Sequence, residues 1–457
     1  MAILTRLRTR LLIPAYERWQ GYQIQPMIPE IEILLGKSYE ELKAEQLNRL
    51  RKLLFHASAT VPYYSRVFRE LDFHPEDLKS IDDLKLLPLL TKDKIREYSS
   101  ELLSKAFSIN DLDKSATGGT TDVPVTYYRN KGCTQERWAV TWAFNRWYGW
   151  ENGSRVAYLW GASVDFGNQS WKDRLLKKVL YDRIVFPSST LNDKILEQYA
   201  AKIRSFNPDI IQAYPSAMEI LARFALERGE KLPGPKAIIL TAEPLYEYQR
   251  TLIQNVFGAS GFNQYGARET GLIGTECRHG SIHLNILSGV IEVEPFSDNK
   301  DDTKGFGEIV VTDLANYAMP FIRYKIGDVG ELSSDACPCG IGLPVLRNLD
   351  GRTTDVFTLP DGSLVPGVSL TGRVMGANPR VKQLQIIQEE ISRIRVNIIK
   401  AENFTDQDLV SLKKNLRNYF PENVDIEFLF VADLEKDESG KIRFCANRIL
   451  KNKQDIS

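Results

Sequence analysis

The sequence predicts an α/β fold in which a large N-terminal domain of layered sheets and helices precedes a small α+β C-terminal domain. The chain has 457 residues, 43% of them hydrophobic and 26% charged, and single cores normally stop growing well below that length. Beyond Gly153, short β-rich runs alternate with longer helical stretches, a pattern typical of α/β layers. Residues 351–355 are wholly polar or glycine, so we place the domains at residues 1–350 and 351–457.

The N-terminal domain is predicted to begin with helices and to continue with strands. Leu47, Leu50 and Leu54 recur at helical spacing with charges between them, and they predict an amphipathic helix over residues 41–57. The apolar runs that follow predict strands over residues 156–160, 209–213, 237–241 and 308–312.

The C-terminal domain is predicted from a hairpin, further strands and one helix. Asp361-Gly362 supplies the positive φ that a tight hairpin needs, so residues 356–359 and 364–365 are expected to pair. Strands are predicted over residues 381–388, 394–399 and 427–431, with a helix over residues 406–418.

Charge and hydropathy exclude several classes of protein. Lys+Arg and Asp+Glu both number 59, so no overall positive field attracts nucleic acid. No apolar run approaches the roughly eighteen residues of a membrane-spanning helix, and the run after Arg10 is too short for a signal peptide. We therefore expect a cytoplasmic protein without stable membrane insertion. Arg6, Arg8 and Arg10 could place a basic amphipathic helix on a membrane surface, but a terminal helix docked on the protein body is the favoured interpretation.

A loop rich in glycine and threonine is the first candidate site. Its backbone N–H groups and hydroxyls could wrap triphosphate oxygens without bulky side chains in the way. A polar surface turn is the alternative interpretation. The candidate phosphate ligands are Thr117, Gly118, Gly119, Thr120 and Thr121.

Two segments after predicted strands could hold the rest of a nucleotide. Residues 242–244 (Ala242, Glu243 and Pro244) directly follow the predicted strand 237–241. Residues 265–269 read Tyr-Gly-Ala-Arg-Glu, in which a tyrosine ring can cover a purine and a carboxylate can hold Mg²⁺. The candidates in this second segment are Tyr265, Gly266, Arg268 and Glu269.

Three further residues complete the candidate site. Asp328 could accept hydrogen bonds from both ribose hydroxyls, and Arg352 lies at the predicted domain junction. Lys441 follows Ser439 and Gly440 in a loop of the C-terminal domain. Each motif alone could be a solvated turn, so the prediction depends on their order and spacing.

In this order the motifs resemble those of adenylate-forming ligases. Finer features resemble the subgroup of phenylacetate-CoA ligase, coenzyme F390 synthetase and CapK-like proteins, and the resemblance spans nearly the whole chain. These features are His56 through Val61-Pro62-Tyr63-Tyr64, Leu87-Pro88 to Thr91-Lys92, Tyr214-Pro215-Ser216 and Cys337-Pro338-Cys339-Gly340.

The resemblance implies ATP-dependent activation of a carboxylic acid through an acyl-adenylate, followed by transfer to a thiol, usually CoA. It also implies roles for the candidate residues. Residues 117–121 would grip the phosphates, and Tyr265 with residues 242–244 would frame adenine. Glu269 would hold Mg²⁺, Asp328 and Arg352 would bind ribose, and Lys441 would bridge the carboxylate and the α-phosphate. Expected partners are a small-molecule carboxylate and CoA or another acceptor, and a homo-oligomer is compatible with the sequence.

The residues depart from the family pattern at three places. Asp122 and Val123 replace the usual glycine and lysine, Arg268 replaces a hydroxyl residue, and Thr354 replaces the first hinge aspartate. Arg268 could supply the lost cation by contacting ATP phosphates. The alternative is that Arg268 pairs with Asp122 or faces solvent. Two alternatives therefore stand beside an acyl-CoA ligase. One is a CapK-like adenylating enzyme of capsule or surface polysaccharide biosynthesis with an acceptor other than CoA, and the other is a degenerate nucleotide-binding protein.

Cysteine spacing predicts a metal centre rather than disulfides. Cys337 and Cys339 form a Cys-Pro-Cys pair, and Cys277 stands six residues before His283. Four such ligands suit a closed tetrahedral Zn²⁺ site, with His279 as the competing histidine. The alternative is that they are small buried residues of a reduced core.

Overall fold

The fold is known from a computed structural model, which describes residues 7–116, 125–160, 180–188, 191–296, 306–333, 335–352, 356–362, 364–378, 380–435 and 442–449. The first part of the chain is helical, as predicted. After a π turn at Arg8–Leu12, the helices are α1 (Ile13–Trp19), α2 (Ile24–Leu35), α3 (Tyr39–Thr60), α4 (Pro62–Glu70), α5 (Lys92–Glu97) and α6 (Lys131–Asn145).

Helix α3 confirms the helix predicted over residues 41–57, and it extends the predicted bounds to Tyr39–Thr60. A capping box starts it, in which the Glu41 backbone N–H donates to Ser38 Oγ and the Ser38 N–H donates to the Glu41 carboxylate. The helix ends before Pro62, which cannot donate the next helical hydrogen bond. Leu50 and Leu54 are fully buried on one face, so the leucine spacing correctly identified the core side.

The central sheet contains all four strands predicted for the N-terminal domain. Within the described residues its order is β10-β11-β12-β13-β9-β8-β7-β6-β5-β3-β4. The strands are β3 (Val156–Trp160), β4 (Arg183–Pro187), β5 (Ile210–Ala213), β6 (Ala237–Thr241), β7 (Gly261–Ala267), β8 (Gly271–Glu276), β9 (Ile282–Leu284), β10 (Gly289–Pro295), β11 (Phe306–Asp313), β12 (Tyr324–Ser333) and β13 (Val345–Arg352).

The sheet has a parallel and an antiparallel half. Strands β7, β6, β5, β3 and β4 are parallel, and the remaining neighbours are antiparallel. Three helices pack on the parallel half, namely α7 (Asp193–Phe206), α8 (Pro215–Glu227) and α9 (Glu247–Phe257). A separate antiparallel pair, β1 (Asp113–Ala116) and β2 (Thr126–Arg129), lies before α6 in the sequence.

The C-terminal domain has its own sheet and its own core. The predicted hairpin is present as β14 (Val356–Thr358) and β15 (Leu364–Pro366), and a four-stranded sheet has the order β18-β17-β16-β19. Its strands are β16 (Val381–Glu390), β17 (Arg393–Lys400), β18 (Asp425–Phe430) and β19 (Cys445–Asn447), with helices α10 (Gly367–Ala377) and α11 (Asp406–Arg417). Strand β13 continues to Arg352, two residues beyond the predicted end of the first domain at residue 350. Among the described helices, none is both long and apolar enough to cross a membrane.

Candidate active site

The sheet brings two of the predicted segments to one edge. Strands β6 and β7 are parallel, and Thr241 at the end of β6 stands opposite Gln264, so residues 242–244 and 265–269 lie at the same carboxyl edge. Ala242 has a φ of +68°, a left-handed conformation that costs a non-glycine residue on the order of 1–3 kcal/mol. Such residues cluster at functional sites, which agrees with the position predicted for Ala242.

Glu243 binds protein groups beside this edge. Its carboxylate accepts a hydrogen bond of 2.9 Å from the Ser216 backbone N–H and one of 3.0 Å from the Ser216 hydroxyl, in the first turn of α8. A negative charge is favourable at the N-terminus of a helix. Glu243 therefore ties the segment that includes Ala242 and Pro244 to the Tyr-Pro-Ser segment at residues 214–216.

Tyr265 connects the predicted adenine segment with the predicted ribose ligand. Its ring is buried, and its hydroxyl donates a hydrogen bond of 2.9 Å to Asp328 Oδ2. Asp328 on β12 stands opposite Arg352 on β13 in the antiparallel register. Three motifs that are 63 and 24 residues apart in sequence thus meet in one place.

Gly266 is required by a close approach of two strands. A Cβ atom at this position would lie 2.7 Å from the Gly271 carbonyl oxygen, which is closer than side chains pack. The next residues, including Arg268 and Glu269, form the turn between β7 and β8.

A buried arginine, which the sequence motifs do not include, holds this turn. Arg137 on α6 donates to the backbone carbonyls of Arg268 and Glu269, and it pairs with Asp313 Oδ2 at 2.6 Å. Burial alone would lower the pKa of Arg137, but the Asp313 carboxylate raises it, so the guanidinium stays charged. Arg137 is therefore a positioning residue for the turn that carries Glu269.

The hairpin β1–β2 lies against the same turn. The Tyr127 hydroxyl on β2 donates a hydrogen bond of 2.6 Å to the Arg268 carbonyl. Burial raises the pKa of the Tyr127 phenol, so its hydroxyl stays a hydrogen-bond donor. Strands β1 and β2 flank residues 117–124 in the sequence, and the Tyr127 hydrogen bond holds β2 against the turn that carries Glu269.

Six predicted residues lie outside the described part of the chain. They are Thr117, Gly118, Gly119, Thr120 and Thr121 of the loop and Lys441 of the C-terminal domain. For Arg352 the structure describes the backbone position in β13. The roles of these residues stay predictions.

The four predicted zinc ligands come together from three segments. Cys277 follows β8, His283 lies on β9, and Cys337 and Cys339 lie between β12 and β13. Their ligand atoms all lie within 4.8 Å of one another.

The geometry of this cluster fits a tetrahedral Zn²⁺ ion. The sulfurs of Cys277 and Cys337 are 3.6 Å apart, and sulfurs bound to zinc at about 2.3 Å would be about 3.8 Å apart. His283 Nε2 lies 3.2 Å from the Cys339 sulfur, while His283 Nδ1 lies 3.2 Å from the Leu343 carbonyl. An N–H on Nδ1 would leave Nε2 free to bind a metal. The geometry therefore favours His283 over His279.

Comparisons with known proteins agree with the motif-based resemblance. Residues 357–448 match the family model described as the CapK C-terminal domain. Protein CapK of Staphylococcus aureus is 24% identical over an alignment of 441 residues, and the match covers 92% of this chain and 95% of that protein. The phenylacetate-coenzyme A ligase of Thermus thermophilus is 26% identical over 354 residues, covering 74% of this chain and 76% of that protein.

A solved structure supports the same fold. A 2-hydroxyisobutyryl-CoA ligase in the postadenylation state, in complex with 2-HIB-AMP, matches with a TM-score of 0.71 and 17% sequence identity. The match covers 90% of this chain and 92% of that chain. The predicted architecture, a large α/β domain followed by a small α+β domain, is confirmed.

Proposed function

Because the chain resembles CapK and the phenylacetate-CoA ligases over most of its length, we propose that it is an acid–thiol ligase that forms an acyl-adenylate. A carboxylate oxygen attacks the α-phosphorus of ATP, and the bond from that phosphorus to pyrophosphate breaks. A thiolate, CoA in the leading proposal, then attacks the acyl carbon and releases AMP. The similarity to phenylacetate-coenzyme A ligase supports this proposal, and so does the geometry of the site.

The observation that carries the proposal is the hydrogen bond between Tyr265 and Asp328. It joins Tyr265, the proposed adenine ligand, to Asp328, the proposed ribose ligand, at the carboxyl edge of β6 and β7. In the proposed complex Arg352, opposite Asp328, also contacts ribose. The proposed Mg²⁺ ligand Glu269 sits on the turn that Arg137 holds, and the divalent ion would neutralise the phosphates.

The position of the C-terminal domain agrees with a role for Lys441 in adenylation. Phe444, three residues after Lys441, packs its ring edge-on against Tyr246, with centroids 5.6 Å apart. Tyr246 lies two residues after Pro244 of the adenine segment. The described chain that follows Lys441 therefore contacts the described chain that follows the nucleotide edge.

A second candidate differs in the acceptor. The match with CapK covers 92% of this chain, against 74% for the Thermus ligase, and the C-terminal match is to the CapK domain. We therefore keep a CapK-like reaction in which the activated acid, or AMP, passes to an acceptor other than CoA.

ATP–pyrophosphate exchange with a panel of carboxylic acids tests the proposal. We expect exchange that depends on one of the acids and on Mg²⁺. Adding CoA then separates the two candidates, because a ligase forms a thioester and the CapK-like enzyme does not. ATP binding without exchange for any acid would instead identify a degenerate nucleotide-binding protein.

We also propose that Cys277, His283, Cys337 and Cys339 hold one structural Zn²⁺ per chain. Four protein ligands leave no open position for catalysis, so the ion would pin the loop between β12 and β13 to β8 and β9. Elemental analysis of protein purified without chelators should find about one zinc per chain.

Substitutions separate this metal site from a reduced core. Cys339→Ser should lower the zinc content and the thermal stability, whereas Cys445→Ala, at a buried cysteine of the C-terminal domain, should leave the zinc content unchanged. Metal-free native protein, or equal zinc in both variants, would refute the site.

A further inference from the structure

The first described turns of the chain are docked on the protein body by one face. Ile13 and Glu17 of α1 are buried, and the Glu17 carboxylate accepts hydrogen bonds from the backbone and side-chain amides of Gln25. Arg8 donates to the Gly153 carbonyl at 2.9 Å and pairs with Asp182 at 3.3 Å. The described part of the predicted terminal helix is therefore packed on the body through Arg8, Ile13 and Glu17, and residues 1–6 lie outside the described part of the chain.

The opposite face is apolar and exposed. Trp19 is 75% exposed and Leu11 is 60% exposed, and Leu7 and Leu12 are each nearly half exposed. Arg10 and Arg18 are exposed among them. We call this set, Leu7, Arg10, Leu11, Leu12, Arg18 and Trp19, the N-terminal face.

Aromatic contacts continue the N-terminal face across the surface. Trp19 contacts Tyr16, and Tyr16 contacts Tyr181. Tyr181 in turn contacts Trp142, which contacts Trp138. Trp138 is 50% exposed, so indole rings reach the surface at both ends of this series.

The charge of the N-terminal face is of one sign. Its two charged residues, Arg10 and Arg18, are both basic, and the nearby Glu17 carboxylate faces inward. The whole chain has no net charge, so this local positive charge is not a general property of the protein.

We propose that the N-terminal face docks reversibly on the surface of an anionic phospholipid bilayer. Helices that lie in a membrane interface combine leucine and tryptophan with arginine. Indole rings favour the headgroup region, and arginines are attracted to anionic lipids. A second copy of the chain is disfavoured as the occupant, because a symmetric contact would place arginines against arginines.

Sedimentation with lipid vesicles tests this proposal. The full chain should sediment with vesicles of phosphatidylglycerol and phosphatidylcholine, less with phosphatidylcholine alone, and less at high salt. Arg10→Gln and Arg18→Gln should each weaken binding about fivefold, the equivalent of about 1 kcal/mol per charge. Leu11→Ser combined with Trp19→Ser should weaken it at least about tenfold.

A matched control distinguishes docking through the N-terminal face from non-specific adsorption of exposed apolar side chains to vesicles. Leu86→Ser removes another leucine, 68% exposed and outside the N-terminal face, and should bind vesicles as the native chain does. All variants should keep native ATP–pyrophosphate exchange in solution, since none of the substituted residues lies in the proposed nucleotide site.

Two results would overturn the proposal. One is equal binding of the native chain to both kinds of vesicle, and the other is native binding by the chains with substitutions in the N-terminal face. Loss of a concentration-dependent oligomer in those chains, without a change in vesicle binding, would also overturn it and would identify a protein interface.

Discussion

Replacing Lys441 with alanine is expected to lower the rate of acyl-adenylate formation by about 100-fold or more. In the proposed mechanism its ammonium group bridges the attacking carboxylate and the α-phosphate, where negative charge is crowded. Removing one preorganised group that stabilises such a transition state typically costs about two to three orders of magnitude in rate. ATP–pyrophosphate exchange measures this half-reaction directly.

The same variant should form the thioester from a supplied acyl-adenylate at nearly the native rate. Lys441 has no role in that step if the C-terminal domain rotates between the half-reactions, as the family resemblance implies. Lys414→Ala, at an exposed lysine of α11 in the same domain, is the matched control and should retain both half-reactions. An equal loss of both half-reactions in Lys441→Ala would contradict this division of labour.

Replacing Arg137 with methionine is expected to reduce both stability and ATP use. Asp313 is 1% exposed, so the substitution would leave a buried carboxylate without its cation. Removing one partner of such a pair costs about 3–5 kcal/mol of unfolding free energy. The carbonyls of Arg268 and Glu269 would lose the same donor, so the turn that carries the proposed Mg²⁺ ligand would lose its support.

A double variant distinguishes the two effects. Arg137→Met with Asp313→Asn removes the buried anion, so part of the lost stability should return in denaturant titrations. Exchange activity should stay at least about tenfold below native, because the two carbonyls still lack their donor. Arg250→Met breaks another ion pair, between the partly buried Arg250 and the buried Glu276 near the amino end of β7. It should lower stability while folded molecules keep native exchange. Full recovery of activity in the double variant would show that Arg137 acts through stability alone.

Local sequence patterns predicted most of the strands and helices that bury apolar side chains. Residues 156–160 and 237–241 are strands with those same bounds, because their apolar runs lie in the buried parallel half of the sheet. Strands β7 and β8 carry glycine and polar residues, so periodicity gives little sign of them. Their strand form depends on pairing with neighbours that are distant in sequence.

The site was predictable where motifs carry the chemistry and not where distant contacts do. Tyr265 and Asp328 were found from their motifs, and the structure brings them into contact. Arg137 was missed because its partner Asp313 is 176 residues away. One local signal exists, since Cys133, Arg137 and Phe144 share the buried face of α6, where a charge needs a partner.

Isotope transfer tests the formation of an acyl-adenylate most directly. The acid that supports exchange would be labelled with ¹⁸O in its carboxylate and incubated with ATP, Mg²⁺ and CoA. We predict that one labelled oxygen appears in AMP, because the carboxylate oxygen forms the bond to the α-phosphorus and stays there when the acyl group leaves. Formation of ADP with labelled inorganic phosphate would contradict the proposal, because it would mean that the carboxylate attacks the γ-phosphorus.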